Sequence, residues 1–133
     1  MRFHLDTNIV SHVMKFPDGA AAKRVSELDT SMLSVSSIVA AELRFGAMKK
    51  GSQRLALLVE EILTDLNVLP WDQPADVHYA RLRTELERAG LPIGQNDMLI
   101  AAHALAMDAT LVTDNEREFA RVTGLKTENW LQS

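Results

Sequence analysis

Ala109-Thr110-Leu111-Val112-Thr113-Asp114 is the most strand-like stretch of the 133-residue chain. It is apolar and β-branched, it ends on a carboxylate, and the run before it has a different period. Met98 to Met107 is apolar on every side except at His103, the composition of a buried helix. Glu116 to Arg121, which follows, reads as a helical turn. Buried helix, strand and helical turn in succession predict strands joined by helical crossovers, hence a parallel sheet.

The same alternation extends back to the amino terminus. Arg2 to Asp6 reads as a short strand, and helices follow over Asn8 to Phe16 and Ala20 to Leu28, separated by Pro17-Asp18-Gly19. Ser31 to Val35 is the second strand. Ser36 or Ser37 then caps a helix running to Lys50, and Ser52 caps another over Gln53 to Leu66. Asn67 to Leu69 is a third strand, Ala75 to Ala89 a helix closed by Gly90, and Leu125 to Trp130 an edge strand. Asn96 is expected to cap a helix over Asp97 to Met107. The sum is an α/β fold of three layers, α/β/α, around a mostly parallel sheet, in one domain over residues 1–133.

Composition narrows the function. There is no cysteine, which removes disulfides, thiolate metal sites and thiol nucleophiles together and suits a cytoplasmic protein. No signal peptide is expected, and the longest apolar run is too short to span a bilayer. The net charge of −4 argues against loose attachment to nucleic acid, so any grip on phosphate must be local. The densest basic segment is Lys49-Lys50-Gly51-Ser52-Gln53-Arg54, with Arg44 a turn upstream. His4, His12, His78 and His103 lack metal-ligand spacing and read as core or surface residues. No phosphate-cradling glycine loop and no hydrolase nucleophile elbow is present.

Four carboxylates remain: Asp6, Glu42, Asp97 and Asp114. Asp6 follows the first strand, where by itself it reads first as a helix N-cap. Glu42 lies on a helical wheel among Ile38, Val39, Phe45 and Gly46, a setting that is costly for a charge without a partner. Asp97 opens the all-apolar helix, and with Asn96 as cap it is free for another task. Asp114 closes the last strand, as a turn residue or a ligand, and Glu118 one helical turn on could share its role. In a parallel sheet, strand ends meet at one crevice. Two carboxylates ~4 Å apart there would repel by roughly 4 kcal/mol at a dielectric near ~20. A divalent cation offsets that best, and metal-dependent nuclease chemistry needs such a set.

Leu5-Asp6-Thr7-Asn8, Ala41-Glu42-Leu43, Ile93-Gly94-Gln95-Asn96-Asp97-Met98-Leu99-Ile100 and Val112-Thr113-Asp114-Asn115-Glu116-Arg117-Glu118-Phe119 together resemble the PIN-domain family, nearest to its VapC-type ribonuclease toxins. The resemblance covers essentially the whole chain. It implies the three-layer fold, Mg²⁺- or Mn²⁺-dependent endoribonuclease activity, homodimers and inhibition by a small VapB-type antitoxin. Operator DNA would be reached only through that antitoxin. Asp6, Glu42 and Asp97 match the three central acids of the family. Many relatives carry Asn where this chain has Asp114, so the fourth place lies between Asp114 and Glu118. Thr7, Asn8, Thr113 and Glu118 are the expected supporting residues around the metal. The non-enzymatic alternative is a silent PIN-like scaffold or antitoxin-dependent repressor subunit. A receiver domain would need paired acids after the first strand and a late lysine. A haloacid-dehalogenase-like phosphatase would need an acid where Asn8 stands.

Overall fold

A computed structural model describes residues 1–131. Strand β1 is Phe3–Leu5, and β2 is Leu33–Ser36, β3 Val68–Leu69, β4 Thr110–Val112 and β5 Thr127–Glu128. Helices α1 (Thr7–Lys15) and α2 (Ala20–Glu27) join β1 to β2. Helices α3 (Ser37–Lys50) and α4 (Gln53–Leu66) join β2 to β3. Helices α5 (Ala75–Ala89) and α6 (Gln95–Ala106) return from β3 to β4, and α7 (Glu116–Phe119) leads to β5. All strand pairs are parallel, in the order β3-β2-β1-β4-β5.

That order creates the crevice. From β1 the chain moves outward to β2, and from β4 it moves the opposite way to β5. The crossovers therefore part between β1 and β4, the switch point where open sheets bind ligands at the carboxyl ends of their strands. Right-handed crossovers place α1 to α4 on one face and α5 and α6 on the other. Leu5, Val35, Leu111 and Val112 are fully buried between these layers. His4 and His103 are also core residues: their rings meet edge to face at 4.7 Å, and Ser34 Oγ lies 2.9 Å from His4 Nδ1. Burial holds His4 down at about 3, with the neighbouring His103 adding to the effect, so this layer is neutral.

Local chemistry explains most boundaries. Ser36 caps α3 by accepting from Ile38 N, Ser52 caps α4 by accepting from Leu55 N, and Gly51 and Gly90 close α3 and α5 in the left-handed conformation. Three differences from the sequence reading bear on the fold, while several other ends shift by only one or two residues. Residues Thr30–Met32 form a 3₁₀ turn capped by Asp29, so β2 starts at Leu33 rather than Ser31. Edge strand β5 is confined to Thr127–Glu128. Asn96 does not cap α6, because the helix begins at Gln95 with Gly94 at the cap.

Candidate active site at the carboxyl edge of the sheet

Asp6 follows β1 directly and is only 5% exposed. It does cap α1, with Oδ1 accepting from Ile9 N at 3.0 Å, while its own N–H donates to Val112 O at 3.0 Å. The strand pair therefore holds the backbone and the helix holds the carboxylate. Burial is the main force pushing Asp6 up, to about 6. Hydrogen bonds from the Thr113 side chain and Ile9 oppose this, and the charges of Asp114 and Glu42 add to it. Capping and membership of the acid cluster coexist in one residue.

Glu42 projects from α3 next to Asp6, and Thr7 Oγ1 donates to its Oε1 at 2.7 Å. Its surroundings differ from the wheel reading. The buried stripe of α3 is Val39, Ala40, Leu43 and Ala47, while Phe45 is 64% exposed. Glu42 flanks that stripe, half-buried, with one oxygen held and the carboxylate open to the crevice. Apolar residues surround α3, so periodicity alone could not identify the inward face.

Asp97 lies in the first turn of α6, and its Oδ2 sits so close to Gly94 that a Cβ there would be 3.1 Å away. Burial again leads in raising it, to about 7, followed by the charge of Glu118 and a hydrogen bond to it, then by Asp6 and Glu42. Glu118 reaches the same point from α7. Its Oε1 accepts from Gly94 N at 3.0 Å and its Oε2 accepts from Asn115 Nδ2. Glu118 thus satisfies the cap position of α6 that Asn96 does not. Asp114 is exposed on the opposite rim, where Asn8 Nδ2 approaches Oδ1 at 3.5 Å, and Thr113 is fully buried beneath it.

All four predicted acids, and Glu118, therefore border one crevice. Among the described residues none of them makes an ion pair; the four pairs present involve other residues. The site is open: no three Asp, Glu, His or Cys side chains among the described residues close around a single point. An open, purely oxygen-donor set with like charges raising one another suits a hard ion that keeps several waters, the habit of Mg²⁺. Sequence reasoning missed one neighbour, Lys15, which lies on the α1 face shared with Thr7 and Ser11. Its spacing of four residues from Ser11, repeating that from Thr7 to Ser11, was the available signal.

A crevice of acids at the switch point of a five-stranded parallel sheet defines a PIN-like α/β domain. The family model described as PIN domain matches residues 4–125. Ribonuclease VapC2 of Rickettsia felis is 41% identical over 132 residues, covering 98% of each protein. The tRNA(fMet)-specific endonuclease VapC of Shigella flexneri is 37% identical over 131 residues, again covering 98% of each. Among solved structures, VapBC2 from Rickettsia felis, bound to a DNA fragment from its promoter, superimposes with a TM-score of 0.91. It is 38% identical and covers 98% of this chain and 99% of that one. VapBC-1 from nontypeable Haemophilus influenzae gives a TM-score of 0.87 at 39% identity, covering 98% of both chains. The chain belongs to the PIN-domain family and, within it, to the VapC ribonucleases.

Proposed function

We propose that this chain is a divalent-metal-dependent endoribonuclease and the toxin of a type II toxin–antitoxin pair. The observation that carries the reading is the convergence of Asp6, Glu42 and Asp97, from three separate elements, with no cation among the described residues paired to them. Full-length relatives named as ribonucleases supply the substrate class.

Asp6 and Asp97 would hold a Mg²⁺ or Mn²⁺ ion, with Glu42 and Asp114 binding or orienting waters around it. When bound, such an ion neutralises charge on phosphate oxygens and makes water a stronger nucleophile. The protein's own contributions are positional. Thr7 fixes one oxygen of Glu42, leaving the other to accept a proton from water. Thr113 and Ile9 N hold Asp6 in place. Glu118 ties the start of α6 to α7 and keeps Asp97 at the crevice.

The partner would be a small VapB-type antitoxin, a reading supported by the complexes in which related chains were solved. The trench between α1 and α3 beside Glu42 offers an aliphatic floor on which an amphipathic segment could lie and place a cation among the acids. Operator DNA would be met through the antitoxin, since the chain carries a net charge of −4. The expected homodimer is supported by apolar surface at Phe45 and Met48, which is 78% exposed. No helix among the described residues is long and apolar enough to cross a membrane.

The test is cleavage of 5′-labelled RNA by purified protein with Mg²⁺ or Mn²⁺. EDTA and Asp97→Asn should each abolish it while circular dichroism stays native. Undiminished cutting in both cases would overturn the assignment.

A further inference from the structure

The basic segment singled out in the sequence divides in three dimensions. Arg44 is clamped by Glu60, with Nε at 3.0 Å and Nη2 at 2.9 Å from its oxygens, and it lies outside the trench beside the site. Lys50 and Arg54 turn instead into that trench, of about 430 Å³, where they meet Lys15 from the end of α1. Thus α1, α3 and α4 each contribute one cation to the lining of one trench. All three are exposed, and among the described residues none is in an ion pair. Thr7 and Glu42 line the same trench, which therefore runs into the acid crevice.

In a chain of net charge −4, three converging cations without a carboxylate partner form a local anion site. We propose that Lys15, Lys50 and Arg54 are a phosphate track that guides the RNA strand into or out of the crevice, an inference that rests on the nuclease reading. The occupant is a single-stranded ribose–phosphate backbone: its successive negative charges match the cations, and it must enter the crevice to be cut. Among the described residues no aromatic ring lines the trench, so bases have nothing there to stack on and the grip is tolerant of sequence. An antitoxin segment in this trench would exclude RNA by covering the track as well as the acids.

Counterion release gives the magnitude. Three phosphate contacts on a single strand contribute about −2 to the slope of log affinity against log salt, roughly a 20-fold loss for a fourfold rise in salt. The probe is a fluorescein-labelled, mixed-sequence, single-stranded RNA titrated by anisotropy in EDTA, where no cutting occurs. The variant is Lys15→Gln/Lys50→Gln/Arg54→Gln. The control is Lys23→Gln/Arg88→Gln/Lys126→Gln, which alters net charge equally on other surfaces. The trench variant should lower the slope by about two and raise KM for cleavage about tenfold or more, with kcat changed little. The control should keep the wild-type slope.

Wild-type slope and KM in the trench variant, from a wild type that cuts RNA, would overturn the track and leave the nuclease reading intact. An equal fall in slope for both variants would also overturn it, assigning the effect to overall charge. So would an unchanged slope with loss of the co-expressed antitoxin, which would assign these cations to the protein partner. A wild type that never cuts would sink the nuclease reading, whereas a fall in slope confined to the trench variant would still support phosphate contacts at these three cations.

Discussion

Replacing Asp6 by Asn should stabilise the metal-free protein. Asp6 is buried, and its carboxyl is pushed from 3.8 up to about 6. At about 1.36 kcal/mol per tenfold, that change corresponds to roughly 3 kcal/mol of destabilisation once the group is ionised. Asn keeps the capping contact, because its side-chain oxygen can still accept from Ile9 N, now at 3.0 Å from Oδ1, and Asn is as good a cap as Asp. The attraction of the carboxylate to the amino end of α1 is already part of that balance, since the hydrogen bond from Ile9 lowers the value. The gain is about 3 kcal/mol, or about 11 °C in Tm at the usual unfolding entropy per residue.

The pH dependence has a definite sign. A carboxyl raised in the folded state binds more protons there than in the unfolded chain, so it favours folding as pH falls. The advantage of Asp6→Asn should be full above about pH 6 and vanish below about pH 4, between the folded and unfolded values. Urea denaturation of both proteins in EDTA, at several pH values across that window, measures it directly. Repeating it with Mg²⁺ should shrink or reverse the difference, because the ion stabilises the wild-type carboxylate. If Asp6→Asn were less stable than wild type by 1 kcal/mol or more (about a third of the expected gain, reversed in sign) in metal-free buffer near pH 8, the electrostatic account of this crevice would be wrong.

Thr7→Val should leave Tm nearly unchanged but reduce kcat by about 10- to 100-fold, because Glu42 loses the 2.7 Å hydrogen bond that orients it; initial rates on labelled RNA decide this. The Mg²⁺ concentration for half-maximal cleavage should rise as pH falls from about 8 to about 6, because protons compete with the ion at Asp97 and Asp6, which are raised to about 7 and about 6; activity titrations at each pH would show it. Gly46→Ala should raise stability by about 0.5–1 kcal/mol, since Gly46 is in the interior of α3 and a Cβ there meets nothing within 4 Å; thermal melts suffice to test it.

The sequence was most legible where structure is decided locally. The β-branched run ending at Asp114, the serine caps and the left-handed glycines depend on neighbours a few residues away, and their elements formed where expected. The strand-end acids were legible for the same reason, because strand ends in a parallel sheet share one edge. Errors arose where a distant group decides. Asn96 was the better local cap for α6, yet the helix starts earlier because Glu118, 24 residues on, accepts from Gly94 N. Arg44 looked available for phosphate until Glu60, 16 residues on, turned out to hold it with two hydrogen bonds. The inward face of α3 was ambiguous because Phe45 and Met48, apolar residues that usually point to a core, face outward.

Asp6 shows why the cap and the site should not have been treated as alternatives. A serine or asparagine would satisfy Ile9 N equally well without bringing a buried charge beside Glu42 and Asp114. Capping alone therefore does not account for a carboxylate at a position where it is strained upward to about 6. Two hydrogen bonds anchor the residue from opposite sides, Ile9 N of α1 on the carboxylate and Val112 O of β4 on the backbone N–H, so the charge is held where unfavourable repulsion would otherwise rotate it away. A group kept ionisable, immobile and close to other acids destabilises the metal-free protein, a cost that the proposed divalent ion would offset. The cap is thus the means by which the fold fixes a charged group in its crevice, and it is this cost that the Asp6→Asn denaturation experiment measures.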